Sequence, residues 1–471
     1  MSHPTPAGSV IELLAQLDGI TRLDGEQLVI EDEMAFRDRG IRAVAWTATF
    51  SDDEPTVEAA RWIVWEASIL LGAPSASIHE LYMARGRGEL GGFTVPAINL
   101  RTQVMDMSGA ILRAAAGLEA GTVILELARS EQEYTYQRPG EFITSVLAGA
   151  IAAGWRGPVF VQGDHYQFNV KKYVTDPEGT TEAIRKATAD AVRAGYRNID
   201  IDSSTLVDLT LPDVDSQQRT NYERAAEITA VIREVEPEGE TVSVGGEIGE
   251  VGKENSNEAE LRVYLDGYRR ELARRAGAEA IGVSKVSVQT GTSHGGVPLP
   301  GGGVAEVALD FDTLRRLSEV CREYGLAGAV QHGASTLPDE LFHRFPEVET
   351  AEVHLATGFQ NLLYDHSAFP PELRTRIEDW CRVNTADEWK PGEDESVSLY
   401  KTRKKALGPF KRELWELTTR DEIIATQEAK FRYLFDQLGI AGSRQWAERY
   451  IRPQPKRRPA PPALREAVAA R

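Results

Sequence analysis

Three of the eight histidines in this chain of 471 residues, His165, His294 and His332, each follow a different short apolar run. Neutral imidazole is a common ligand for Zn²⁺, and three protein ligands with one open position is the layout of a catalytic zinc centre. A single histidine in such a place is more often a locally satisfied polar residue than a ligand, so the case rests on the three together. Both His294 and His332 precede a glycine, Gly295 and Gly333, where backbone N–H groups can approach an anion closely. Ligand type favours zinc, and availability in the cell can place another divalent metal on the same side chains.

The elements that would position these residues are eight short apolar runs. They fall at Phe93–Ile98, Val123–Leu127, Val159–Gln162, Ile199–Ile201, Val242–Val244, Ala280–Val283, Ala329–Gln331 and Ala351–Leu355. Segments of helical character such as Thr181–Ala194, Glu258–Arg275 and Phe311–Tyr324 lie between most of them. Strands alternating with helices imply a parallel sheet, and eight units over this length match a closed (β/α)8 TIM barrel. An open doubly wound sheet would carry a Gly-rich turn after its first strand; here that place reads Asn99-Leu100-Arg101-Thr102. Polar residues gather where barrel active sites form, at the ends of the runs: Asn99, Glu126, Asp164-His165, Asp202, Glu247, His294, His332 and His354 with Thr357. The expected organisation is an N-terminal extension over residues 1–91, the barrel over 92–369, and a helical C-terminal extension and tail over 370–471. That last part is expected to be an oligomerisation or lid element.

A formal net charge of −19 argues against a nucleic-acid partner, since phosphate binding needs concentrated Lys and Arg. No apolar run is long enough to span a bilayer, and residues 1–8 lack the order of a secretory signal, so no membrane partner and a cytoplasmic location are expected. Two cysteines, Cys321 and Cys381, fit a reducing compartment and read as small core or surface residues.

Six segments in order resemble the signature segments of the class II, metal-dependent fructose-bisphosphate and tagatose-bisphosphate aldolases. They are Val95-Pro96-Ala97-Ile98-Asn99, Gly163-Asp164-His165, Ile201-Asp202-Ser203-Ser204, Gly246-Glu247-Ile248-Gly249, Gly291-Thr292-Ser293-His294-Gly295 and Gln331-His332-Gly333-Ala334-Ser335. The resemblance implies that His165, His294 and His332 hold Zn²⁺, with Glu247 at a carboxylate that ligates the metal in some members. It implies Asp164 as catalytic acid/base, Gly295, Gly333 and Ser335 at the substrate phosphate, and Asn99 and Asp202 lining the site. Cleaving the C3–C4 bond of a ketose leaves an enediolate, which a metal at the C2 and C3 oxygens stabilises as a Lewis acid. Asp164 would take the C4 hydroxyl proton in cleavage and return it in condensation.

The chain departs from the family where substrate is read. Gly296 to Gly303 lacks the family's basic residue, and the strand-eight pattern is replaced by His354-Leu355-Ala356-Thr357, which puts His354 and Thr357 at the substrate. Tyr166 follows the third-strand histidine where a small residue is usual, and either meets substrate or packs. Glu250 and Glu254 fall near acidic residues that the family uses at C3. The expected activity is a divalent-metal-dependent aldolase, a lyase acting on a ketose or ketose phosphate, in a homo-oligomer. Alternatives are a metal-dependent ketose epimerase on the same scaffold and a non-catalytic structural subunit. A Schiff-base aldolase built on Lys285 is a further competitor, one in which the histidine set has no role.

Overall fold

The computed structural model describes residues 4–249, 254–291, 309–334 and 337–470. A hairpin of β1 (Thr21–Asp24) and β2 (Gln27–Ile30) precedes eight parallel strands. These are β3 (Val95–Asn99), β4 (Ile124–Ala128), β5 (Phe160–Gln167), β6 (Asn198–Asp202), β7 (Ser243–Glu247), β8 (Lys285–Val288), β9 (Ala329–Gln331) and β10 (Glu352–Leu355). Each pairs with the next in sequence and β10 closes on β3, so the (β/α)8 barrel is complete.

Seven of the eight expected runs coincide with strands. The sixth does not: the apolar stretch Ala280–Val283 lies in the connection, and the strand begins at Lys285. The cause is a polar barrel interior. Lys285 faces Gln162 of β5, Asp200 of β6 and Glu352 of β10 across the lumen, so its strand shows no apolar inward face. The usual filling of a barrel of this kind is branched aliphatic side chains; here one layer is an ion cluster. A Cβ at Gly245 would lie 2.3 Å from Asp200 Oδ1 and 2.9 Å from Lys285 Cε, so that cluster needs the space a glycine leaves.

The N-terminal segment closes the barrel floor. Asn198 at the start of β6 accepts from the Ile78 N–H at 3.0 Å and donates to Ala76 O at 3.3 Å. The Tyr82 hydroxyl, in the helix His79–Gly86, donates to Glu352 inside the barrel.

The C-terminal helices are part of the same body. Helix Arg420–Gln437 packs along helix Val104–Gly117. Trp415, fully buried, meets Trp46 at a ring separation of 5.4 Å and Phe50 at 5.5 Å. A separate apolar cluster of Leu363, Phe369, Ile377, Cys381, Leu407 and Phe410 fastens residues beyond β10 beside the strand ends. The terminal stretch is held rather than loose: Trp62 and Trp65 donate to Arg458 O and Lys456 O at 2.9 and 3.0 Å, and helix Pro462–Ala469 follows. Both cysteines are free and buried, as small core residues. Among the described residues no helix is long and apolar enough to cross a membrane.

Candidate active site

A cavity of about 270 Å³ opens at the C-terminal ends of the strands. Its wall takes in Asn99 at the end of β3, Glu126 on β4, Asp164 and His165 on β5, His332 and Gly333 after β9, His354 on β10 and Thr357 after it. Residues far apart in sequence therefore converge because each lies on, or just after, a strand of one barrel.

The local cause of the β5 geometry is a break in pairing. Register with β6 shifts between Gly163 and Tyr166, and His165 adopts φ +41°, a left-handed conformation that costs a non-glycine residue energy. The bulge lets the adjacent residues Asp164 and His165 both reach the cavity. Tyr166 is buried on the other side, and a Cβ at Gly163 would lie 2.4 Å from its ring. Tyr166 therefore packs and does not meet substrate.

His165 Nδ1 lies 3.0 Å from Asp202 Oδ2 and 3.4 Å from Glu247 Oε2, while its Nε2 lies 3.9 Å from Asp164 Oδ1. The His165 and His332 rings stand 4.4 Å apart, and His332 Nε2 is 2.9 Å from Ser287 Oγ. Behind them His354 Nδ1 is 3.0 Å from Glu126 Oε1 and 3.4 Å from Asp164 Oδ1, and its Nε2 is 2.7 Å from Glu352 Oε1. Asp202 is fully buried behind His165, where it also accepts from Gln167 and Ser204, and it is absent from the cavity wall. Its carboxylate is thus set to orient the imidazole.

Asp164, His165 and His332 each bring one ligand-type atom within 4.8 Å of the others, as do His165, Asp202 and Glu247. Burial opposes charge on His165, but Asp164, Glu247 and Asp202 outweigh it and raise the ring well above its ordinary value. The carboxylates that favour a proton there would equally favour a divalent cation. An imidazole whose Nδ1 is held by a carboxylate presents Nε2 to a metal. The residues present therefore fit a divalent metal. Burial and then the Asp164 charge push Glu126 up to about 7, against the opposing pull of His354.

Asn99, Asp164, His165, His332, Gly333, His354 and Thr357 all line the one cavity, with Glu247 one contact away through His165. His294, Gly295, Ser335, Glu250 and the run Gly296 to Gly303 lie outside the described residues. Glu254 lies among them and is exposed. Lys285 is fully buried below the cavity, where Asp200 and Glu352 outweigh burial and raise its ammonium above the ordinary value. It is not poised as a Schiff-base nucleophile.

Sequence reasoning missed three charged residues of the wall: Arg101, Glu131 and Lys404. Glu131 accepts from Asn99 Nδ2 at 2.6 Å and from Arg101 Nε at 2.8 Å. Arg101, two residues beyond the end of β3, was within reach of the strand-end rule. Lys404 lies nearly fifty residues beyond β10 and no local pattern marks it.

Among solved structures of similar fold, a probable tagatose 6 phosphate kinase from Sinorhizobium meliloti 1021 is 18% identical with a TM-score of 0.53, covering 80% of this chain and 97% of its own. A fructuronate-tagaturonate epimerase from Cohnella laeviribosi is 12% identical with a TM-score of 0.51, covering 74% of this chain and 82% of its own. At such identities these likenesses speak to the fold alone. The family model described as fructose-bisphosphate aldolase class-II matches residues 86–407, well over half of the chain and the whole barrel with its site. The chain belongs to the class II fructose-bisphosphate aldolase family.

Proposed function

We propose that the chain is a divalent-metal-dependent lyase that makes or cleaves a carbon–carbon bond in a ketose or ketose phosphate, with zinc as the metal. The observation that carries this reading is the meeting of Asp164, His165 and His332 on one cavity wall at the strand ends. His165, His332 and, from the sequence pattern, His294 would hold the ion, with Glu247 as a further or alternative ligand. When bound, the metal supplies the positive charge that stabilises the carbanionic fragment.

The chain's own residues supply the rest. Asp202 orients His165, and the ketose lies between the histidines and the wall formed by Asn99, Gly333 and Thr357, with Gly295 and Ser335 as further substrate contacts. Asp164 takes the C4 hydroxyl proton as the C3–C4 bond breaks, so the aldehyde leaves and the bonding electron pair remains on the C2–C3 fragment. In condensation Asp164 returns the proton to the new hydroxyl. Glu126 and His354 behind Asp164 keep the local charge balanced while that proton moves.

An epimerase is the second reading, favoured by His354. It stands 3.4 Å from Asp164 as a second group able to hold a proton, on the strand where this chain departs from the family pattern. Inversion needs a proton or fragment returned on the other face, and one structure of similar fold is described as a fructuronate-tagaturonate epimerase.

The test is a panel of ketoses and ketose phosphates assayed for aldehyde release and for epimer formation, on wild type and Asp164→Asn. The expected outcome is turnover of at least one member, reduced roughly 10²–10⁴-fold in the variant with metal content kept. Turnover unaffected by the substitution, or none across the panel with metal bound, overturns the proposal.

A further inference from the structure

One cation on the cavity wall, Lys404, has no ion-pair partner among the described residues. Lys404 belongs to the 3-10 turn Arg403–Leu407, in the helical region after the barrel, and it is half-buried. Its neighbours along the chain are paired: Arg403 with Asp365 at 2.9 Å, and Lys405 with Glu388. Lys404 itself has no ion pair or hydrogen bond among the described residues, and its ammonium stands 5.9 Å from the Tyr134 ring. Arg101 beside it is already complete. Its Nε and Nη2 meet Glu131 Oε1 at 2.8 and 2.7 Å, and its Nη1 donates to Gln360 Oε1 at 3.0 Å. That corner of the cavity therefore holds one ammonium without an ion-pair partner among the described residues; the nearest acids, Glu131 and Glu388, act on it at longer range and are already paired with Arg101 and Lys405.

A half-buried, unpaired ammonium is costly unless an anion arrives with substrate. Burial and the adjacent Arg101 pull its affinity for a proton down, which an incoming negative group would reverse. One spare charge matches a monoanion better than a phosphate, which carries roughly −1.5 to −2 at neutral pH. The cavity, about 270 Å³, suits a molecule the size of a monosaccharide. We propose, on the strength of the ketose reading above, that Lys404 receives the terminal carboxylate of a ketose acid, and so makes the region after the barrel the determinant of substrate charge.

Three probes that share the ketose end test it on the full chain loaded with zinc: D-tagaturonate, neutral D-tagatose and D-tagatose 6-phosphate. Calorimetric titration of wild type should show tagaturonate binding at least tenfold more tightly than tagatose. Lys404→Met should abolish that preference while leaving tagatose within about twofold, and Lys404→Arg should restore most of it. Equal affinity of wild type for tagaturonate and tagatose overturns the proposal, as does an equal loss for both in Lys404→Met. A Lys404-dependent preference for tagatose 6-phosphate over tagaturonate overturns the carboxylate assignment. Zinc content is measured on the same samples. Protein without zinc that still selects tagaturonate through Lys404 leaves this proposal standing and sinks the lyase reading; protein with zinc that fails to discriminate does the reverse.

Discussion

Replacing Lys285 by Met removes a buried cation beneath the cavity while leaving the two buried carboxylates it pairs with, Asp200 and Glu352, in place. Its ammonium donates to Gln162 Oε1 at 2.9 Å, to Asp200 Oδ2 at 3.0 Å and to Glu352, and all four side chains lie within the barrel. Breaking a buried ion pair by deleting one partner costs about 3–5 kcal/mol, because the remaining charge has neither water nor a counter-ion. Proton uptake limits the loss here. Burial, with Glu352 adding to it, already holds Asp200 up at about 6 against the pull of Lys285 and His354. Without the lysine Asp200 is protonated at pH 7, at a cost of about 1.4 kcal/mol per unit of pKa. Glu352 keeps His354 at 2.7 Å and Gln162 at 3.0 Å. The expected loss is therefore near the lower end, about 3 kcal/mol, read as the shift in denaturant unfolding. Asp200→Asn on the Lys285→Met background should regain roughly 1–2 kcal/mol of it. Borohydride added with a ketose should leave wild-type activity intact, because a lysine held protonated forms no Schiff base. A Lys285→Met protein as stable as wild type to within about 1 kcal/mol, together with borohydride trapping of the wild type at Lys285, would refute the reasoning.

Two further changes probe the β5 bulge and the barrel floor. Gly163→Ala places a Cβ 2.4 Å from the Tyr166 ring and 3.1 Å from Ile199 Cδ1; it should cost roughly 1–3 kcal/mol in unfolding assays and weaken metal affinity at least tenfold through His165. Wild-type behaviour in both assays would show that the bulge does not set the histidine. In the fold, burial and then Arg233 hold His79 down at about 4, against the ordinary value of 6.5. Acidification from pH 7 to 5 thus protonates the unfolded chain first and lowers stability, by about 2 kcal/mol from this residue. His79→Phe should remove that increment from the pH dependence of unfolding, and an unchanged slope would contradict it.

Most of the barrel was legible because strand-forming runs and amphipathic helices alternate at a spacing that only a closed or wound sheet explains. Helix Glu258–Ala276 lies within one residue of its expected bounds, Glu258–Arg275. The sixth strand was not legible, since Lys285 and Ser287 carry polar groups inward and hide the periodicity that marks a half-buried strand. At the site, Asp164, His165 and His332 were readable from their places at strand ends. The position of Asp202 behind His165 was not, because strand-end placement says which residues gather but not which face the cavity. Lys404 was invisible for a different reason: it enters from a segment whose path over the barrel is set by tertiary packing of Phe410, Leu407 and Ile377. The floor contacts of Asn198 and Tyr82 with the N-terminal segment are non-local in the same way.

The most direct test of the account is the metal content of the purified full chain, by mass spectrometry, beside His165→Ala, His332→Ala and His294→Ala. The account predicts about one zinc-like ion per chain in the wild type, lost or bound far more weakly in each variant, with Asp164→Asn retaining it. A wild-type protein that takes up no divalent ion on titration, or variants that keep a full complement of it, would contradict the central claim.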